Sequence, residues 1–306
     1  MQAWQSSNVV HRPLKTHARY GYSAITRRAD YDRPGKKRLA VYLGFNIEHF
    51  DFGAGLGAAL GPKSPEPDVL NYSWRDYGNR VGVWRCLELF DDLKLPAAAI
   101  INTALYDYCP EVIEACVKRG DELVGHGHTN SERQSDLSEG VEEKLLEDCK
   151  SRIRKESRQD ISGWLSPWIS ESAVTPDLLA EAGYRYTLNW CHDDQPVKFK
   201  TRSGKTLWSI PYPQELNDIP MMVARQMDAC DFADMIVDNF DEMLRQSAEQ
   251  PLVMGIALHP YLVGQPYRLR HLRRALKHIK VKGKKVWFTT PGAICDVVEN
   301  RGQSPI

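Results

Sequence analysis

Four polar clusters each stand at the end of a short apolar run: Asn46-Ile-Glu48-His49 after residues 39–45, His126-Gly-His128-Thr-Asn130 after 122–124, Ser166-Pro-Trp168 after 161–165, and His259-Pro260 after 252–258. A carboxylate, imidazoles and primary amides are the groups from which hydrolysis of an amide or imide is built. Water must be deprotonated, a tetrahedral oxyanion held, and the leaving nitrogen protonated. Glu48 is the candidate base or water-orienting group. His259 is the candidate acid, because imidazole is close to half protonated near its ordinary pKa of about 6.5. His126 would orient the water or donate to the oxyanion, while Asn46 and Asn130 would bind carbonyl or N–H edges of a substrate. Plainer roles exist for the same residues: Glu48 as an ion pair at a sheet rim, His126 as a turn histidine bonded to a carbonyl. Four polar strand ends in one chain favour a site.

Further candidates have thinner support. Trp168 and Trp190 would line a pocket, although a buried Trp is ordinarily core. Glu171, Asp193 and Asp194 follow strand ends; Glu171 and Asp194 are expected to meet polar substrate groups. His128 and His192 would lie behind the site or in solvent. His49 points away from Glu48 if the strand continues. The Gly53–Gly61 run does not have the order of a phosphate loop, and the Gly- and Pro-rich loop from Gly53 to Pro67 is expected to be a functional cover.

These residues need strands that end on one face, and the chain supplies an alternation of strand and helix. Strands are expected at 39–45, 97–101, 122–124, 161–165, 184–188, 206–210, 252–258 and 286–289. Helices are expected at 110–120, with Pro110 in the first turn and Gly120 past the end, and at 139–156, 175–183 with Thr175 as N-cap, 233–246 and 269–278. Val81, Trp84, Leu87 and Phe90 recur at helical spacing. The pattern predicts one α/β domain, a mainly parallel sheet closed or nearly closed into a barrel, over residues 38–306. Residues 1–37 are polar and basic, with His11, Arg12, Lys15, Arg19, Arg27 and Arg28 among them. They predict an extended arm that packs across a subunit boundary in a homo-oligomer, a dimer or tetramer.

Lys and Arg number 40 and Asp and Glu 40, so the formal charge of +0 forecasts no nucleic acid and no anionic membrane as partner. A small-molecule substrate is the expected ligand. Seven cysteines without a C-x-x-C pair favour reduced thiols over a disulfide frame or zinc cluster. No apolar N-terminal core and no run of about 18 apolar residues is present, which predicts a cytoplasmic protein.

From about Arg19 to Val298 the chain resembles the polysaccharide deacetylase (NodB-homology) superfamily, which implies a single distorted (β/α) barrel and hydrolysis of C–N bonds in acetamido groups or cyclic ureides. In metal-dependent members, the first strand ends in two Asp residues, a base and a zinc ligand, and a later His-x-x-x-His supplies two more ligands. Here those positions are Asn46 and Glu48, and His126 and Asn130. An amide does not titrate, and it ligates zinc poorly beside imidazole. Where deacetylases hold an Arg against the catalytic Asp, this chain has Leu165. The departures resemble the metal-independent allantoinase-like branch, as do Tyr77-Gly-Asn-Arg-Val-Gly-Val-Trp84-Arg, Asn217-Asp-Ile-Pro220 and Leu258-His-Pro-Tyr-Leu-Val-Gly-Gln-Pro266. The resemblance implies an amidohydrolase acting on a small cyclic ureide, imide or amide with no cofactor. Two alternatives stand beside it: a zinc-dependent deacetylase of acetamido sugars with Glu48 and His126 as ligands, and an inactive ligand-binding barrel.

Overall fold

A computed structural model describes residues 15–61 and 65–302. Its centre is β1, Leu39–Ile47, in which every residue is buried because both edges and both faces are covered. β2 (Ala97–Ile101) pairs with residues 43–47 and β8 (Leu252–Leu258) with residues 39–45, both in parallel. β9 (Val286–Phe288) pairs with positions 39–41 on the same edge as β2, ahead of the residues that β2 takes. With β3 (Glu122–Gly125), β4 (Gly163–Trp164), β5 (Tyr186–Thr187), β6 (Val197–Phe199) and β7 (Leu207–Ser209), the order is β6-β7-β5-β4-β3-β2-β1-β8. All pairings are parallel except β6 with β7. On the far edge of β8, the Val253 N–H donates to the Asp194 carbonyl and the Ala257 N–H to the Leu216 carbonyl. Irregular chain thus takes the place of a closing strand, and the result is a distorted (β/α) barrel.

Strand parity divides the core. In β1 the odd-numbered Leu39, Val41, Leu43, Phe45 and Ile47 join the cluster that packs against the helices. Even-numbered Ala40 and Tyr42 join Ala98, Ile100 and Val124 inside the barrel. Successive side chains alternate faces, so Asn46 and Glu48, which follow Gly44 in the even series, reach the carboxyl end of the barrel interior.

The helices are α1 (Val69–Tyr77), α2 (Val83–Asp92), α3 (Leu105–Tyr108), α4 (Pro110–Arg119), α5 (Glu139–Ser157), α6 (Thr175–Glu181), α7 (Ala229–Gln246), α8 (Pro260–Val263), α9 (Pro266–Val281) and α10 (Pro291–Gly302). α4 ends on Gly120 in the left-handed region, φ 79°, a conformation that Gly adopts without strain. Two expectations fail locally. A π-helical turn, Gly78–Gly82, separates α1 from α2; such a turn inserts an extra residue and rotates the faces of the helix beyond it. Beyond it Val83, Cys86, Leu87, Leu89 and Phe90 are buried, and Trp84, about 120° around α2 from Phe90, is exposed. Thr175 is not an N-cap: it is the first residue of α6, and its hydroxyl bonds instead to the buried Glu142 carboxylate.

Of the expected arm, residues 15–37 lie against this chain's own barrel, and residues 1–14 fall outside the described residues. Arg19 forks onto Asp177 at 2.6 and 2.8 Å and Arg28 onto Asp193 at 2.7 and 2.6 Å. Tyr20 stacks on His192 with ring centroids 4.4 Å apart. All seven cysteines are unpaired. Among the described residues no helix is long and apolar enough to cross a membrane.

Candidate active site

The carboxyl ends of β1, β3 and β8 bring Glu48, His126 and His259 to one point. The Nε2 atoms of His126 and His259 each lie 3.5 Å from Glu48 Oε1. Asn130 Nδ2 donates to the same oxygen at 2.5 Å, and the Tyr261 hydroxyl donates to Oε2 at 2.9 Å. Glu48, His126 and His259 are all buried.

The histidines differ in what holds the far side of the ring. His259 Nδ1 is 2.6 Å from Asp218 Oδ1, and its backbone N–H donates to Asp218 Oδ2 at 2.7 Å. His126 Nδ1 lies 2.6 Å from the Leu165 carbonyl. A carbonyl only accepts, so this nitrogen carries a hydrogen, and Nε2 is the atom turned toward Glu48. That Nε2 is buried with no hydrogen-bond partner among the described residues.

Burial by itself pushes the Glu48 carboxyl up. The neighbouring imidazoles, chiefly the charge on His259, outweigh it and bring the group down to about 2. Burial likewise pulls His259 down, but Asp218 and Glu48 raise it to about 10. Asp218 is pushed up by burial against the pull of His259. Two charge-assisted contacts from one residue fix it as the anion, so Asp218 carboxylate, His259 imidazolium and Glu48 carboxylate alternate through the site.

These groups open into a cavity of about 210 Å³. Phe50, Leu165, Ile169, Ile219 and Pro220 give it apolar walls, and Gln214 and Asn217 supply primary amides. Ala58 of the Gly53–Gly61 loop covers one side, its carbonyl held by Arg75 Nη1 at 3.1 Å. Trp168 also lines the cavity, with its indole N–H on the Asn130 carbonyl at 2.9 Å. Trp168 and Ile169 both have left-handed backbones, φ 60° and 52°.

The structure therefore brings Asn46, Glu48, His126, Asn130, Trp168 and His259 to one cavity, and leaves other sequence candidates elsewhere. Asn46 lines the wall, but its amide is spent on the Tyr212 hydroxyl at 2.9 Å and on the Gly44 and Leu258 carbonyls. Glu171 does not face this cavity: it accepts from Asn189 at 2.6 Å and from Trp190 at 2.8 Å. Trp190 in turn packs with His17, Tyr20 and Phe199 under the arm. Asp193 is taken by Arg28, and Asp194 lies at the barrel closure, beside the arm. His128 is exposed and His192 stacks on Tyr20.

Sequence reasoning missed Asp218, Tyr261 and Asn102. Asp218 sits inside the Asn217-Asp-Ile-Pro220 turn, whereas Asn102 follows β2 as directly as Glu48 follows β1, so a strand-end signal was present for Asn102.

A metal here would be held by Glu48 and His126, and the third position does not suit it. Asn130 directs a donor nitrogen, not an oxygen, at Glu48, and His259, held as the imidazolium between Asp218 and Glu48, has no lone pair on Nε2 to offer. Among the described residues, the three-ligand His/Cys/Asp/Glu grouping that the geometry yields is Asp228, Cys230 and Asp231, away from the cavity.

No family model matches the chain. The crystal structure of Puue allantoinase superposes with a TM-score of 0.83 and 25% identity, covering 94% of this chain and 99% of that one. A provisionally named polysaccharide deacetylase of Schizosaccharomyces pombe is 27% identical over 87% of either chain. A peptidoglycan deacetylase of Helicobacter pylori is 24% identical over 83% of this chain and 94% of its own.

Proposed function

The chain belongs to the polysaccharide deacetylase superfamily as a hydrolase of C–N bonds other than peptide bonds, and on that premise we propose that it opens a small cyclic ureide or imide, or cleaves a related small amide, without a bound metal. The observation that carries this reading is the shared oxygen, Glu48 Oε1. It faces the Nε2 atoms of two histidines at equal distance and receives the Asn130 amide.

A water donating one hydrogen to Glu48 Oε1 and the other to His126 Nε2 keeps a lone pair free for the substrate carbonyl. Glu48, held ionised down to about pH 2, is too weak a base to finish the deprotonation. It orients the water, and His126 Nε2 takes the proton. His259 then gives its Nε2 proton to the leaving nitrogen, while Asn217 and Gln214 provide amide donors for the oxyanion. Positive charge disappears from His259 and appears on His126. Both rings stand 3.5 Å from the same carboxylate oxygen, so the site's charge balance is preserved through the reaction.

Small size supports the substrate class. The volume of about 210 Å³ is below the roughly 300–1,000 Å³ of pockets for drug-sized ligands, and Ala58 and Trp168 bound it where a polymer would have to pass. The test is hydrolysis of allantoin, a cyclic imide and an acetamido sugar, run beside the metal content of protein purified without added metal. Turnover of a cyclic substrate that survives chelator is expected. Activity on the sugar alone, lost on chelation together with stoichiometric zinc, would replace this reading with the zinc deacetylase.

A further inference from the structure

Asn102 is fully buried behind the site and does not line the cavity. Its amide nonetheless has only one workable orientation, because backbone groups of opposite polarity meet its two ends. The His49 N–H donates to Oδ1 at 2.8 Å, and Nδ2 donates to the His126 carbonyl. Reversing the amide would set donor against donor and acceptor against acceptor in a buried space, leaving each group unsatisfied.

The orientation is passed on. Asn102 Nδ2 also donates to Asn130 Oδ1 at 2.9 Å, so Asn130 must turn its oxygen toward Asn102 and its nitrogen toward Glu48. The Asn130 backbone cannot swing to compensate. Its N–H is on the His49 carbonyl at 2.8 Å, and its carbonyl accepts the Trp168 indole.

We propose that Asn102 is a positioning residue that sets the polarity of the active site: through Asn130 it places a hydrogen-bond donor on Glu48 at the point where a metal would need an oxygen or imidazole ligand. This rests on the metal-free reading for its functional meaning, whereas the amide orientations follow from the backbone alone. A site with Glu48, His126 and Asn130 can therefore refuse a divalent cation because of a residue that touches neither substrate nor metal.

Two experiments test it. Neutron diffraction from the unmodified protein locates the amide deuterons. Those of Asn130 facing Glu48, with those of Asn102 facing Asn130 and the His126 carbonyl, support the proposal; Asn130 deuterons facing Asn102 overturn it. The second compares zinc affinity by titration calorimetry in unmodified protein and Asn102→Asp. A carboxylate only accepts, so it draws the Asn130 nitrogen to itself and turns the Asn130 oxygen toward Glu48 and His126. At least tenfold tighter zinc binding is expected at an unchanged far-UV spectrum. Equal affinity in a folded variant overturns the proposal, and the neutron map decides it if that variant does not fold. Neither readout depends on the substrate, so failure to find a cyclic substrate leaves this inference standing or falling by itself.

Discussion

Glu48 and Glu171 both follow strand ends, and each carboxylate accepts from one asparagine amide and one aromatic side chain: Asn130 and Tyr261 for the first, Asn189 and Trp190 for the second. Their titration moves in opposite directions. Glu48 is brought down to about 2 by the imidazoles beside it. Glu171 has two neutral donors and the more distant Arg19, and burial pushes it up. Hydrogen-bond donors satisfy a buried carboxylate, but neighbouring charge decides whether it stays ionised. One strand end became a candidate reaction centre and the other a packing joint under the arm.

The largest effect that separates them is on turnover. Glu48→Gln is expected to lower kcat by roughly 10²–10³-fold, the range for loss of one preorganised charged group that orients the reacting water. Glu171→Gln should stay within a few-fold of the unmodified protein. Equal losses in steady-state assays would erase the contrast. Glu48 and His259 act in one transition state, so the double change Glu48→Gln with His259→Asn should lose much less than the product of the two single losses.

Next in size is the pH profile. His259 is needed protonated, so activity persists at neutral pH and falls as pH rises through about 10. Asp218→Asn removes one of the two anions that raise His259, and the basic limb of kcat/KM should move down by about one unit or more. An unmoved limb would mean that another group is the acid.

Stability gives a smaller effect with opposite signs. The folded pKa of Glu48 is depressed below its ordinary 4.5, so its contribution is present above that value and is lost as pH falls from 4.5 through about 2. The folded pKa of Glu171 is raised, so its contribution is present below 4.5 and is lost as pH rises through the folded value. The difference in Tm between unmodified protein and Glu48→Gln should shrink toward acid; that for Glu171→Gln should shrink as pH rises. Parallel trends would break the comparison.

The smallest effect belongs to Trp168. Trp168→Phe keeps an aromatic wall and loses the indole bond to Asn130, so KM should rise a few-fold while kcat holds. A matching fall in kcat would make Trp168 part of the transition-state machinery.

Sequence and structure agree where a local rule meets no competitor. Ala97–Ile101 and Leu252–Leu258 are strands with the expected limits, because short apolar runs between turn residues had no other buried solution. Glu48, His126 and His259 could be picked out because each follows such a run directly. What was hidden depended on distance or phase. Asp218 is 41 residues from His259, and a turn motif does not reveal which distant ring it will hold. Loop acids such as Glu171 and Asp194 carry no periodicity, so nothing local said that the arm and the barrel closure would occupy their surroundings. Trp84 fell on the wrong face because steps of three residues drift around a helix of 3.6 residues per turn, which sets Trp84 about 120° from Phe90, and only Leu87 and Phe90 of that row face the core. Asn102 carried the same strand-end signal as Glu48 and was passed over because an asparagine after a strand is also ordinary turn chemistry.

The consecutive left-handed residues Trp168 and Ile169 bear on how this protein would respond to selection. Non-glycine residues in that region store on the order of 1–3 kcal/mol each when the surroundings hold them there, and here the Asn130 carbonyl and the Pro167–Ser170 turn do so. Glycine at either position would release that strain and remove part of the cavity wall. A screen for heat resistance alone should therefore enrich Trp168→Gly or Ile169→Gly at the expense of substrate affinity, while a screen that also demands turnover should keep the strained pair and find its stabilising changes elsewhere.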